Sequence, residues 1–194
     1  MTTSNRNFIP APLFFLQKLI RFQISRKQFA VTIKMRLALY NPDIPQNTGA
    51  VMRLCSCFDV TLDIIEPCGF TLSDSRMRRA GMDYLAHLKM ERHKSWETFR
   101  DFSTQGKHRI VLMTTKSAVS YTDFDFAPDD IILAGRETSG VPDHVHDTAD
   151  ARVLIPMAAH ARSLNMAQSC AIVLSEALRQ TKTLPQMIAS TASL

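Results

Sequence analysis

The sequence predicts an α/β domain, a mostly parallel sheet with helices on both faces. Three observations carry this. Short apolar runs alternate with helical stretches from Arg36 onward, two of the helical stretches show an apolar stripe, and four of the runs end in polar, glycine or proline residues. In such sheets a ligand sits outside the carboxyl ends of the strands, so those four junctions are where function is sought.

In chain order, "RLALY" (36–40) reads as a strand and Asn47 to Phe58 as a helix, with Val51, Leu54, Cys55 and Phe58 at i, i+3, i+4, i+7 forming its core stripe. "TLDII" (61–65) reads as a strand, Ser73 to Ala80 as a short helix, and "YLAHLKM" (84–90) as a strand. Ser95 to Ser103 reads as a helix. "RIVLMT" (109–114), "DIILAG" (130–135) and "RVLIP" (152–156) read as strands, with Pro142 opening a helical segment between the last two. Met166 to Gln180 closes the domain as a helix whose apolar face carries Ala167, Cys170, Leu174 and Leu178.

Charge is unevenly spread. The chain of 194 residues carries a net +5, but residues 1–34 hold six basic residues (Arg6, Lys18, Arg21, Arg26, Lys27, Lys34) and no acidic one, which leaves 17 basic against 18 acidic from Met35 onward. The stretch 1–34 fits a transit peptide, a surface-binding helix or an extension ahead of a true start at Met35; we expect a dispensable extension, a domain over 35–184, and a flexible tail over 185–194. With no apolar run of about 18 residues, no membrane span is expected. The four cysteines (55, 57, 68, 170) lack paired metal-site spacing and suit buried thiols in a reducing cytoplasm, the expected location. The six histidines form no ligand set with acids or cysteines, so no metal is expected.

Five features are candidates for chemistry, each with a plainer structural reading beside it. Arg53 points about 200° away from Val51 around its helix, so it is either a solvated arginine or a site residue. Asn47 and Gly49 suit a helix start that lets backbone approach a phosphate. "GRETSG" (135–140) brackets Glu137 with two glycines, a tight turn against which a flat ligand can lie, or simply the approach to the Pro142 helix. Arg76, Arg78 and Arg79 cluster in "RMRRAG", fit for phosphate contacts or a solvated face. Asn165 sits in a polar "RSLN" before an apolar helix, where an N-cap is the simplest role. No Gly-x-Gly-x-x-Gly or Walker loop occurs, which counts against a nucleotide-binding module.

Taken together and in this order, "NPDIPQNTGAVMRLC", "IIEPCGF", "RMRRAGMDY", "TTK", "GRETSGVP" and "IPM…RSLN" resemble the SPOUT methyltransferases, over about Met35 to Thr183. Within them the chain is most similar to the small enzymes that methylate the ribose 2′-hydroxyl of the tRNA wobble nucleotide, cytidine or uridine 34. The resemblance implies a C-terminal deep trefoil knot, S-adenosyl-L-methionine as cofactor, a homodimer, and the tRNA anticodon stem-loop as partner, with leucine isoacceptors expected. It implies cofactor contacts at Met113, Gly135, Ile155 and Ser163, a catalytic Arg53, site-shaping roles for Glu137 and Asn165, and RNA contacts at Arg76, Arg78 and Arg79. Many relatives have Asn-Leu-Ser where this chain has Asn165-Met166-Ala167, and the loop after Lys116 is shorter here. The alternatives are an rRNA ribose methyltransferase, disfavoured because 34 residues are too few for a folded RNA-binding domain, and a knotted RNA-binding module without catalysis.

Overall fold

The computed structural model describes residues 35–72 and 87–185. Six strands, β1 (Arg36–Tyr40), β2 (Thr61–Ile65), β3 (Met90–His93), β4 (Ile110–Met113), β5 (Ile131–Ala134) and β6 (Ala151–Val153), form one sheet in the order β3-β2-β1-β5-β4-β6. Every pairing is parallel. All carboxyl ends therefore open on one edge. Among the described residues four helices accompany them: α1 (Pro45–Phe58), α2 (Trp96–Gly106), α3 (Asp143–Thr148) and α4 (Met166–Thr181).

Alternation along each strand divides the core. Leu37, Leu39, Val111 and Ile132 pack with α1 and α4 through Val51, Cys55, Cys170 and Leu174. Their neighbours Ala38, Ile110, Leu112, Ile131 and Leu133 pack on the other face with Trp96 and Phe99 of α2 and Val145 of α3. A sheet buried on both faces needs near-continuous apolar strands, which is why "IVLM" and "IILA" show no polar alternation.

Helix α1 begins at Pro45, two residues ahead of the expected start. A proline's fixed φ suits a first helical position, where its missing N–H costs nothing. Asn47 and Gly49 thus lie inside the first two turns rather than at the helix start. The stripe is also rotated: Thr48, Val51, Met52 and Cys55 are buried, while Leu54 and Phe58 are only half-buried. Helix α2 starts as expected, with Ser95 as N-cap in a reciprocal capping box with Thr98.

The third strand differs most from the expectation. It spans Met90–His93 and shares only Met90 with "YLAHLKM", residues 84–86 of which lie outside the described residues, as do the expected helix at 73–80, the segment 1–34 and residues 186–194. A polar "MERH" becomes a strand because among the described residues it is an edge, paired only with β2, and because its charges are matched. Arg92 pairs with Glu66, and buried His93 meets buried Asp63 at 2.7 Å.

After β4 and β6 the chain is stitched together. Thr114 N–H donates to Val153 O, Ser117 Oγ to Arg152 O, Tyr121 N–H to Leu154 O, and Leu154 N–H to Val119 O. The segment leaving β6 is thus bound to the loop leaving β4, beside the carboxyl edge of the sheet.

Candidate active site

A cleft of about 500 Å³ opens at that edge. Its walls come from the four junctions the sequence singles out: Ile44 and Asn47 after β1, Met113 to Lys116 after β4, the Gly135–Gly140 turn without Thr138 after β5, and Ile155, Met157 and Ser163 to Met166 after β6. Such a size lies within the ordinary range for small-molecule sites.

The wall after β5 is a closed turn. Arg136 N–H donates to Gly140 O at 2.9 Å and Gly140 N–H to Arg136 O at 2.8 Å, so Glu137, Thr138 and Ser139 form its tip. Both glycines are required, for different reasons. Gly140 has φ +69°, in the left-handed region. At Gly135 a Cβ would lie 2.8 Å from Gly140 C and 3.0 Å from Gly140 Cα, which are backbone atoms that cannot give way.

A polar chain ties three walls together. Asn165 caps α4, its Oδ1 accepting from the N–H groups of Ala167 (2.9 Å) and Gln168 (3.3 Å). Its Nδ2 donates to Asn47 Oδ1 at 2.9 Å, and Asn47 Nδ2 donates to Glu137 Oε1 at 3.3 Å. Glu137 Oε2 in turn accepts from the Asp43 N–H at 3.0 Å. Each amide is used in both directions, which fixes its orientation.

The electrostatics of the turn are asymmetric. Partial burial, and then its hydrogen bonding with Asp43, push the Glu137 carboxyl above its ordinary value. Asp43 is held below its ordinary value by hydrogen bonding with Glu137 and with Thr138, whose Oγ1 donates to Asp43 Oδ2 at 2.6 Å. The Arg136 Nε sits 3.2 Å from the same Asp43 Oδ2. Glu137 thus holds a proton more readily than a free carboxyl, and Asp43 less readily.

Sequence reasoning places Met113, Gly135, Ile155, Ser163, Glu137 and Asn165 at the site, and the structure brings all six to the one cleft. Arg53 is not among the lining residues; it is exposed on α1, six residues and about 9 Å of helix rise beyond Asn47. Arg76, Arg78 and Arg79 lie outside the described residues. Three contributors were missed. Asp43 and Arg136 form the charged pair under the turn. His146 lines the cleft, its Nδ1 accepting from Arg152 Nε at 3.3 Å, while its Nε2 is buried with no hydrogen-bond partner among the described residues. A lone histidine on a short helix gives no periodic signal, and Asp43 sits in a stretch that reads as a simple turn.

Among the described residues, Asp63, Glu91 and His93 are close enough together to hold an ion. Arg36 already fills that position: its Nε and a terminal nitrogen donate to the two Asp63 oxygens at 2.6 and 2.8 Å, and it pairs with Glu91 at 3.1 Å. The group is an ion network bridging β1, β2 and β3, buried at Asp63 and His93 and exposed at Glu91. Of the cysteines, Cys55 and Cys170 are buried, and burial pushes the Cys170 thiol up to about 12; Cys57 is exposed and Cys68 half-buried, so the buried-thiol expectation holds for two of the four. No helix among the described residues is long and apolar enough to cross a membrane.

The geometry has counterparts in known proteins. Residues 34–175 match the SpoU rRNA Methylase family. A protein of Beijerinckia indica named tRNA (cytidine(34)-2′-O)-methyltransferase is 54% identical over 152 residues, covering 78% of this chain and 95% of its own length. The Escherichia coli K12 protein of the same name is 35% identical, with 75% and 93% covered. A solved structure concerned with the 2-OH methylation of C/U34 on tRNA superposes with a TM-score of 0.71 at 34% identity, covering 76% of this chain and 96% of that one. The SpoU methyltransferase AviRb from Streptomyces viridochromogenes in complex with AdoMet gives a TM-score of 0.70 at 25% identity, over 82% of this chain and 65% of that one. With the family pattern spanning most of the chain and its motifs meeting at one cleft, this protein belongs to the SpoU rRNA Methylase family.

Proposed function

We propose that this chain is an S-adenosylmethionine-dependent enzyme that methylates the ribose 2′-hydroxyl of the wobble nucleotide, cytidine or uridine 34, of tRNA, with leucine isoacceptors as the expected substrates. The observation that carries the reading is the 54% identity to a protein of that name over nearly its whole length. An rRNA substrate is the second reading. It is disfavoured because the relatives at 54% and 35% identity are both named tRNA (cytidine(34)-2′-O)-methyltransferase.

The cleft suits the cofactor. Val153 is buried and Met113, Val141 and Ile155 are half-buried, giving an apolar surface for a purine and a thioether chain. His146 Nε2 carries the ring proton because Nδ1 accepts from Arg152, so it is an orphaned donor in the wall, suited to a ring nitrogen. S-adenosylmethionine supplies a methyl group on a positively charged sulfur, which is a good leaving group. The protein's task is then to place the hydroxyl in line and help remove its proton. Arg53 orients that hydroxyl and neutralises an adjacent phosphate; with a pKa above about 12 a guanidinium is a poor base, so phosphate or water takes the proton. The Asn165–Asn47–Glu137 chain holds the three walls in register.

A deep trefoil knot belongs to the same reading, supported by the bonds joining Leu154 to Val119 and Tyr121. So does a homodimer, supported by Ile44 and Leu164, apolar residues of the cleft that are 37% and 38% exposed in the single chain. A dimer also doubles Arg53, Arg76, Arg78 and Arg79, and two-fold symmetry is the commonest closure. A cytoplasmic location belongs to the same reading, since the relatives are bacterial proteins named for tRNA. Ribose-methylation mapping of tRNA from cells lacking the protein tests the reading: loss of the methyl group at nucleotide 34 supports it, and an intact position 34 refutes it.

A further inference from the structure

We propose that Arg136 grips a backbone phosphate of the substrate RNA beside the target ribose. The inference rests on the methyl-transfer reading above and adds a residue that neither the motif resemblance nor the catalytic scheme uses.

The side chain is unusually well aimed for a surface arginine. Its backbone is locked at both ends of the turn, N–H and C=O each bonded to Gly140. Its Nε is buried 3.2 Å from Asp43 Oδ2, and Asp43 is itself held by Thr138 and by its own N–H to Glu137. One end of the guanidinium is thereby held by an ion pair, though its Nε makes no aligned hydrogen bond. The terminal nitrogens have no hydrogen-bond or ion-pair partner among the described residues, while the side chain is 39% exposed and lines the cleft. Lys116, from the loop after β4, lines the same cleft. Lys116 thus adds a second cation to the same part of the cleft as Arg136.

Free planar N–H donors beside a second cation recognise a compact oxyanion, and a guanidinium fork matches two oxygens of a phosphate. Two oxyanions enter such a site: a phosphodiester of the RNA and the carboxylate of the cofactor. The partial exposure of Arg136 favours the RNA, which must approach from solvent.

The test uses the full-length protein, a labelled anticodon stem-loop RNA and S-adenosylhomocysteine, so that no turnover occurs. RNA binding is followed by anisotropy across a salt series and cofactor-product binding by calorimetry. Arg136→Gln is expected to weaken RNA binding by about tenfold, the scale of one charge-assisted hydrogen bond, and to reduce the slope of log K against log salt by about 0.7, one single-strand phosphate contact. S-adenosylhomocysteine affinity falls by less than RNA affinity does. Arg136→Lys keeps the slope and binds RNA several-fold more weakly because the fork is lost. An unchanged slope in Arg136→Gln overturns the inference, since a merely structural role leaves counterion release untouched. A loss confined to S-adenosylhomocysteine assigns Arg136 to the cofactor carboxylate and also overturns it. Should Arg136→Gln not fold, unaltered RNA affinity in Arg136→Lys overturns it. Wild-type protein that binds neither ligand removes the methyl-transfer reading as well, which separates the two failures.

Discussion

Asn165 donates to Asn47 across 118 residues of sequence while its own oxygen caps α4. One side chain therefore starts a helix and fixes the opposite wall of the cleft. Asn165→Asp separates the roles, because aspartate caps as well as asparagine but has no N–H to give. We predict thermal stability near wild type and weaker S-adenosylhomocysteine binding for Asn165→Asp, whereas Asn165→Ala also loses about 1 kcal/mol of helix capping. Equal cofactor affinity in Asn165→Asp and wild type, by calorimetry, would show that the link to Asn47 is incidental.

Gly135 and Gly140 differ in what they tolerate. Gly135→Ala drives a Cβ into the Gly140 backbone, while Gly140→Ala meets nothing within 4 Å and suffers only from its positive φ. The second change should cost about 1–2 kcal/mol, the usual penalty for a left-handed alanine. Gly135→Ala should cost more and weaken cofactor binding as well. Denaturant melts paired with calorimetry read both, and a Gly135→Ala protein as stable as Gly140→Ala contradicts the contact.

The Asp43 and Glu137 carboxyls predict opposite pH dependences. Glu137 has its folded value raised from 4.5, so its contribution is full below that value and is lost as pH rises through the raised one. Asp43 is lowered from 3.8, so its contribution is present above that value and is lost as pH falls through the lowered one. In stability-against-pH curves, Glu137→Gln should therefore gain on wild type as pH rises above 4.5, and Asp43→Asn should lose its deficit as pH falls below 3.8. Curves parallel to wild type for both variants would refute the pairing.

Arg53 stands apart from the cleft, so its role is the sharpest chemical prediction. Arg53→Ala and Arg53→Lys should each lower methyl transfer by roughly a hundredfold, the scale of lost positioning in acid–base catalysis. S-adenosylhomocysteine affinity and melting temperature should barely move. Single-turnover assays at saturating RNA and cofactor decide it, and near-normal transfer by Arg53→Ala returns the residue to a solvated helix position.

The strands and the cleft were legible because both leave local traces. A sheet buried on both faces writes uninterrupted apolar runs such as "IILA", and the loop chemistry at the four strand ends marks the edge where the cleft opens. What stayed hidden depends on pairs distant in sequence. The strand at Met90–His93 is polar and exists because Asp63 and Glu66 on β2 and its following loop match His93 and Arg92. The partnership of Arg136 with Asp43 joins residues 93 apart in a turn whose sequence shows only glycines and a glutamate. Asn165 was readable as a cap from its position alone, but nothing local marks its second bond, to Asn47.

The most direct measurement is methyl transfer in vitro: purified protein, unmodified tRNA and S-adenosylmethionine, followed by nuclease mapping and mass spectrometry of the product. The predicted result is one 2′-O-methyl group per tRNA, on the ribose of nucleotide 34, with rRNA fragments left unmodified. Methylation at another tRNA position, or transfer to rRNA in preference to tRNA, would contradict it.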